Sequence, residues 1–248
     1  MPLGVAAKIA QTAMGFGIGF FTLALAFQPV LSDQDVQKAA QEGIQMVTPR
    51  NGYILGNYLF KQFHDGIRLQ KGEQEVDDIV VSTPYERVRY NGFIYAFQQK
   101  PFPLDTAKKI ASELKNKITF SIYTHSTYSV DEELADYLKV YQDKAKAQGS
   151  DANTDPNKQP SYLIAYSLAT LEVGGKVYPA QKTYDGPFRD QFTIEGGKAE
   201  IHFLGVVHYT FDLRDLVNNG KIEGQGVLRF SDSQGKEYSE TVDLGSYY

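Results

Sequence analysis

The sequence predicts an α+β protein, mainly antiparallel β, with two or three amphipathic helices and a C-terminal β-sandwich region of immunoglobulin-like character. Three observations predict it. Helical periodicity is confined to a few stretches, best marked at residues 104–115 and 131–147. Beyond residue 160 the chain breaks into short apolar-alternating segments separated by explicit turns at Gly174-Gly175, Gly196-Gly197, Asn219-Gly220 and Ser233-Gln-Gly235. The 17 tyrosines and 15 phenylalanines are residues that favour strands.

The chain opens with a segment carrying Lys8 and then an apolar run from Ala13 that closes on Ala24-Leu25-Ala26. This reads as an export signal, residues 1–26, cut after Ala26, because the apolar block is shorter than the ~20 residues of a membrane span. An uncleaved block would be a single anchor, the chain's one route to a membrane. Ser32 then caps a helix with acidic residues in its first turn, ended by Thr48-Pro49. Dense punctuation from Arg50 to Gly72 predicts short strands joined by tight turns, and Ile79–Val81 a further strand stopped by Thr83-Pro84. Val88–Phe97, apolar on both faces near its end, reads as a buried central strand.

After Pro101 and Pro103, Leu104, Ala107, Ile110, Ala111 and Leu114 mark an amphipathic helix. Ile118–Ser129 alternates: Ile118, Phe120 and Ile122 face one way, and Thr119, Ser121, Tyr123 and His125 the other. Ser129-Val-Asp-Glu132 is a capping box for the helix to Ala147, which Gly149 ends. Strands are expected near 162–173, 176–178, 192–195, 199–211, 226–231 and 238–244. The expected organisation is a signal (1–26), a helix and short-strand lead-in (27–88), and a mixed region (89–248) ending in the sandwich-like segment 162–248. A boundary falls at the polar loop 149–160.

Composition narrows function. Net charge is −5 with no clustered Lys/Arg, which argues against nucleic-acid binding. With no cysteine there is no disulfide, thiol catalysis or iron–sulfur ligation. No G-x-S-x-G, S-x-x-K or H-E-x-x-H motif occurs.

Three groups of residues carry candidate chemistry. Asp151, Asn153, Asp155 and Asn157 place oxygens at alternate positions, as calcium loops do, but Pro156 stands where such a loop needs Gly, and Tyr162 where it needs Glu. His125, His202 and His208 lie on polar strand faces and form a metal or acid–base cluster if those strands are neighbours. His202 and His208 share a face unless Gly205 forms a bulge. The carboxylate pairs Asp77/Asp78, Asp185/Asp190 and Asp212/Asp215 serve hydrolysis only if held across a cleft. Tyr123 and Tyr128, Tyr162 and Tyr166, and Tyr247 and Tyr248 form a binding surface if their rings are exposed.

The expected function is an exported, non-catalytic binding or structural module of a bacterial cell envelope, secreted or periplasmic. Its partner is a protein or a carbohydrate, and no cofactor is required unless calcium fills the 151–157 loop. The alternatives are a hydrolase whose site assembles only in three dimensions, and a calcium-stabilised interaction domain.

Overall fold

A computed structural model describes residues 27–49, 52–63, 68–69, 74–149, 161–194 and 196–248. The 1–26 signal and the 151–157 calcium loop lie outside the described residues. Two antiparallel-dominated sheets share one core, and three helices pack beside them around a second, smaller core.

The helical layer comes from strong local signals. In α1 (Asp33–Gln45) the Ser32 hydroxyl accepts from the Asp35 N–H at 3.2 Å, while Asp35 accepts from the Ser32 N–H at 3.0 Å. The segment expected to be a central strand is instead helix α2 (Pro84–Phe97). Thr83-Pro84 starts this helix as well as ending the strand before it. The Thr83 hydroxyl accepts from the Glu86 N–H at 3.2 Å, and proline at the first helical position loses no hydrogen bond. Helix α2 lacks a clean apolar stripe because it is covered from two sides, by α1 and by α3 (Leu104–Glu113). Helices α1 and α2 cross at two glycines. A Cβ on Gly43 would sit 1.8 Å from the Arg89 carbonyl oxygen, and one on Gly92 would sit 2.5 Å from that of Ala40. Helix α3 (Leu104–Glu113) closes this layer with Ala107 and Ala111.

The larger sheet has the order β1-β3-β4-β8-β7-β2, with β1 (Leu59–Gln62), β2 (Arg68–Leu69), β3 (Val76–Ser82), β4 (Lys117–Ser129), β7 (Gln181–Ile194) and β8 (Ala199–Asp212). The smaller has the order β10-β9-β5-β6, with β5 (Thr170–Val173), β6 (Lys176–Pro179), β9 (Gln225–Ser231) and β10 (Glu237–Asp243). Segment 162–248 thus does not form its own sandwich. It supplies the whole smaller sheet and two strands of the larger one, whose central partners β3 and β4 come from earlier in the chain.

The alternation read in β4 and β8 holds. Ile118, Phe120 and Ile122 meet Phe211, Tyr209 and Val207 on the inner face, against Leu171, Leu228 and Phe230 of the other sheet. The outer face is polar. The capped helix runs as α4 (Val130–Glu132), a π turn (Glu133–Tyr137) and α5 (Leu138–Ala147), burying Tyr141 and Ala145 in the larger core.

Two further expectations are corrected. Residues 162–173 are not one strand: Tyr162–Ala165 form a 3₁₀ turn before β5, and Leu163 packs onto Gly205, where a Cβ would lie 2.5 Å from its Cδ1. Gly205 itself pairs in register with Thr124, so His202 and His208 share a face; the irregularity lies opposite, in β7, where Gly186 and Pro187 interrupt the pairing between Asp185 and Phe188. Strand β7 is also far longer than the 192–195 segment expected, because its exposed polar residues mask its alternation. Among the described residues no helix is long and apolar enough to cross a membrane.

Candidate functional site

The outer face of β4, β8 and β7 gathers a row of polar side chains. Register decides which side chains meet there. Ser121 lies opposite His208, and His208 lies opposite Thr183 on the far side. One step along, Tyr123 pairs with Val206, and Val206 with Asp185. Across these rows Ser121 Oγ is 2.9 Å from His208 Nδ1, and His208 Nε2 is 3.1 Å from Asp185 Oδ2. In the neutral tautomer whose Nε2–H donates to the Asp185 carboxylate, Nδ1 accepts from the Ser121 hydroxyl. The Thr119 and Thr210 hydroxyls pair at 2.9 Å further along the same face. Exposure grades across the row. The Asp185 side chain is 67 % exposed and that of His208 27 %, while Ser121 is 6 % exposed. Beside Ser121 on β4, Tyr123 shows 43 % of its surface.

The three histidines do not form one cluster. His208 belongs to the row above. His202 lies six residues along the same face of β8, roughly 20 Å away at ~3.3 Å per residue. There its Nδ1–H donates to the Ser126 carbonyl at 2.9 Å, and its Nε2 lies 3.5 Å from Glu200. His125 Nδ1 contacts Asp77 at 2.7 Å. The rings of His125 and His202 flank Phe192 at 5.8 and 5.7 Å, so an aromatic ring stands where a shared ligand would have to sit. Among the described residues no group of three or more His, Cys, Asp or Glu side chains is placed to hold a metal ion.

The carboxylate pairs also separate. Asp77 goes to His125 and Asp185 to His208, while Asp212 binds Arg214 and Asp215 binds Lys176. Of the tyrosines, Tyr162 and Tyr166 are fully buried. The Tyr162 hydroxyl donates to the Thr124 carbonyl at 3.0 Å, and that of Tyr166 pairs with the Thr124 hydroxyl at 2.6 Å. Tyr247 is buried against Tyr58, and Tyr128 stacks on Tyr137 at 3.8 Å. Of the six expected to form a surface, Tyr123 is the one that stands out from the polar sheet face.

One end of the two-sheet core is closed by buried acids that the sequence did not single out. Glu75, 1 % exposed, accepts from the Ser233 N–H at 3.0 Å, the Ser233 hydroxyl at 2.5 Å and Gln234 at 3.4 Å. Burial pushes its carboxyl up to about 8, with nearby Asp232 acting in the same direction. Glu133 accepts from the Tyr162 N–H at 3.0 Å and is pushed by burial up to about 6. In the helical layer burial likewise raises Glu86, which accepts from the Tyr53 hydroxyl at 3.0 Å. Lys182 on β7 shows the converse. Burial lowers it to about 7, and its ammonium donates to the Ile164 and Tyr166 carbonyls at the end of the 3₁₀ turn.

Ser121, His208 and Asp185 lie on polar or turn-like stretches, but no local pattern ties Ser121 to a hairpin that begins sixty residues further along the chain. Sheet order alone supplies that link. No protein-family model, no curated protein and no solved structure matches the chain.

Proposed function

We propose that the protein is an exported, non-catalytic binding module of a bacterial cell envelope, and that it holds an extended carbohydrate on the outer face of β4, β8 and β7. The observation that carries the reading is the pairing of the half-exposed Tyr123 ring with the ordered row Ser121–His208–Asp185. A flat aromatic face stacks on a sugar ring, and fixed hydroxyl, imidazole and carboxylate groups match sugar hydroxyls. The apolar leader read in residues 1–26 supports export. The proposal extends to an immunoglobulin-like character for the two-sheet core as a whole, whose sheets share one hydrophobic interior.

The alternative, a hydrolase assembled in three dimensions, has the same row in its favour. Against it stands the Ser121 backbone N–H, which is not free to serve an oxyanion. Ser121 is paired to Val80 on one side and His208 on the other, so its backbone N–H is taken up in the sheet ladder.

The test is binding of the purified chain to polysaccharide isolated from the envelope, by calorimetry, with Tyr123→Ala beside the wild type. The expected result is binding that weakens at least tenfold in the variant while the melting temperature is unchanged. Equal affinity in the two proteins, or retention of an envelope protein and no glycan, overturns the carbohydrate reading.

A further inference from the structure

The row on the outer face has a chemical capacity that ligand holding does not use. Asp185 fixes the proton of His208 on Nε2, at 3.1 Å, which leaves Nδ1 as the basic nitrogen, 2.9 Å from the Ser121 hydroxyl. The imidazole is held from both ends by neighbouring strands of one sheet, so little is lost in orienting it. This is the hydrogen-bond order of a serine nucleophile, its general base and the carboxylate that orients the base.

We propose that Ser121 is an activated nucleophile that takes an acyl group from esters with a good leaving group. Ser121 Oγ attacks the acyl carbon of an aryl ester as its proton passes to His208 Nδ1. The imidazolium that forms is stabilised by Asp185. The tetrahedral adduct then collapses, the bond to the aryl oxygen breaks, and the phenol departs with the proton, leaving O-acyl Ser121. The ladder that occupies the Ser121 N–H sets the substrate class. With its own N–H held in the ladder, Ser121 forgoes that donor to the oxyanion, a lever worth ~10²–10³ in rate. Amides and alkyl esters are therefore out of reach, and activated esters are the class that remains.

The inference rests on the row's geometry and not on carbohydrate binding, so either can fail alone. The experiment incubates the purified chain with p-nitrophenyl acetate, follows nitrophenolate release, and maps acetylated peptides by mass spectrometry. The expected result is a burst of at most one equivalent, with one acetyl group on Ser121. It should be lost in Ser121→Ala, slowed about 100-fold or more in His208→Gln and at least tenfold in Asp185→Asn. Circular dichroism melts matching the wild type establish that each variant is folded. Asp185→Asn, on the exposed rim, keeps the test alive if a change at the more sheltered positions prevents folding. Acetylation confined to lysines such as Lys182, an unmodified Ser121, or equal rates in wild type and Asp185→Asn overturns the proposal.

Discussion

Glu75 makes the stability of this protein depend on pH in a direction that can be worked out beforehand. Its carboxyl is 1 % exposed, faces Ser233 and Gln234 as donors, and has Asp232 nearby. Its pKa is raised by burial from an ordinary 4.5 to about 8. Between those two values the folded chain keeps a proton that the unfolded chain has released. Stability from this group is therefore complete below pH 4.5 and declines as pH rises to about 8. At ~1.4 kcal/mol per pH unit, the whole window corresponds to on the order of 5 kcal/mol, a large part of the ~5–15 kcal/mol that holds a domain folded. The perturbation is Glu75→Gln, which keeps an oxygen for Ser233 and cannot ionise. The assay is urea unfolding at pH 5, 6 and 7, below the range in which Lys182, lowered to about 7, adds its opposite dependence. Wild type should lose stability relative to the variant by ~1.4 kcal/mol per pH unit across this range, with equal m-values. Glu133, pushed up to about 6, adds to the decline in both proteins below that pH and cancels from the comparison. Parallel stability curves for the two proteins would refute the reasoning and mean that Glu75 ionises freely in the fold.

Further outcomes follow from the packing. Gly43→Ala drives a methyl to within 1.8 Å of the Arg89 carbonyl, so α1 and α2 must separate, and the expected loss is about 3 kcal/mol by chemical denaturation. An unchanged midpoint would show that the two helices do not cross at this point. Ser32→Ala removes the acceptor for the Asp35 N–H, 3.2 Å away, and should cost about 1 kcal/mol, or ~2–4 °C in melting temperature. Tyr123→Ala, on a half-exposed ring, should weaken glycan binding at least tenfold and leave the melt unchanged.

Local chemistry made some of this legible in the chain and left the rest hidden. The caps at Ser32 and Ser129 were readable because a capping box is a contact over three residues. The two faces of β4 and β8 were readable because alternation with a period of two survives any choice of partner. Helix α2 was misread as a strand. Burial from two sides removed the one-sided stripe that marks a helix, and the Thr83 cap signal was read only as a strand end. Tyr162 and Tyr166, candidates for a binding surface if exposed, are sealed in the core. An aromatic ring with a hydroxyl suits both places, and the Thr124 contacts that decide it come from another strand.

The sequence alone determined the α+β class, the helix starts at Ser32, Pro103 and Ser129, the polar side of β4 and β8 and the absence of thiol chemistry, since these depend on residues within a few positions of one another. Tertiary structure decided that His125 and His202 sit on either side of Phe192 while His208 joins Ser121 and Asp185. It also decided that Glu75 meets Ser233, and that the last third of the chain divides between two sheets. The physical reason is common to all of these. They are set by strand order and register, which arise from how the whole chain buries its apolar faces together, and no short stretch of it records the result.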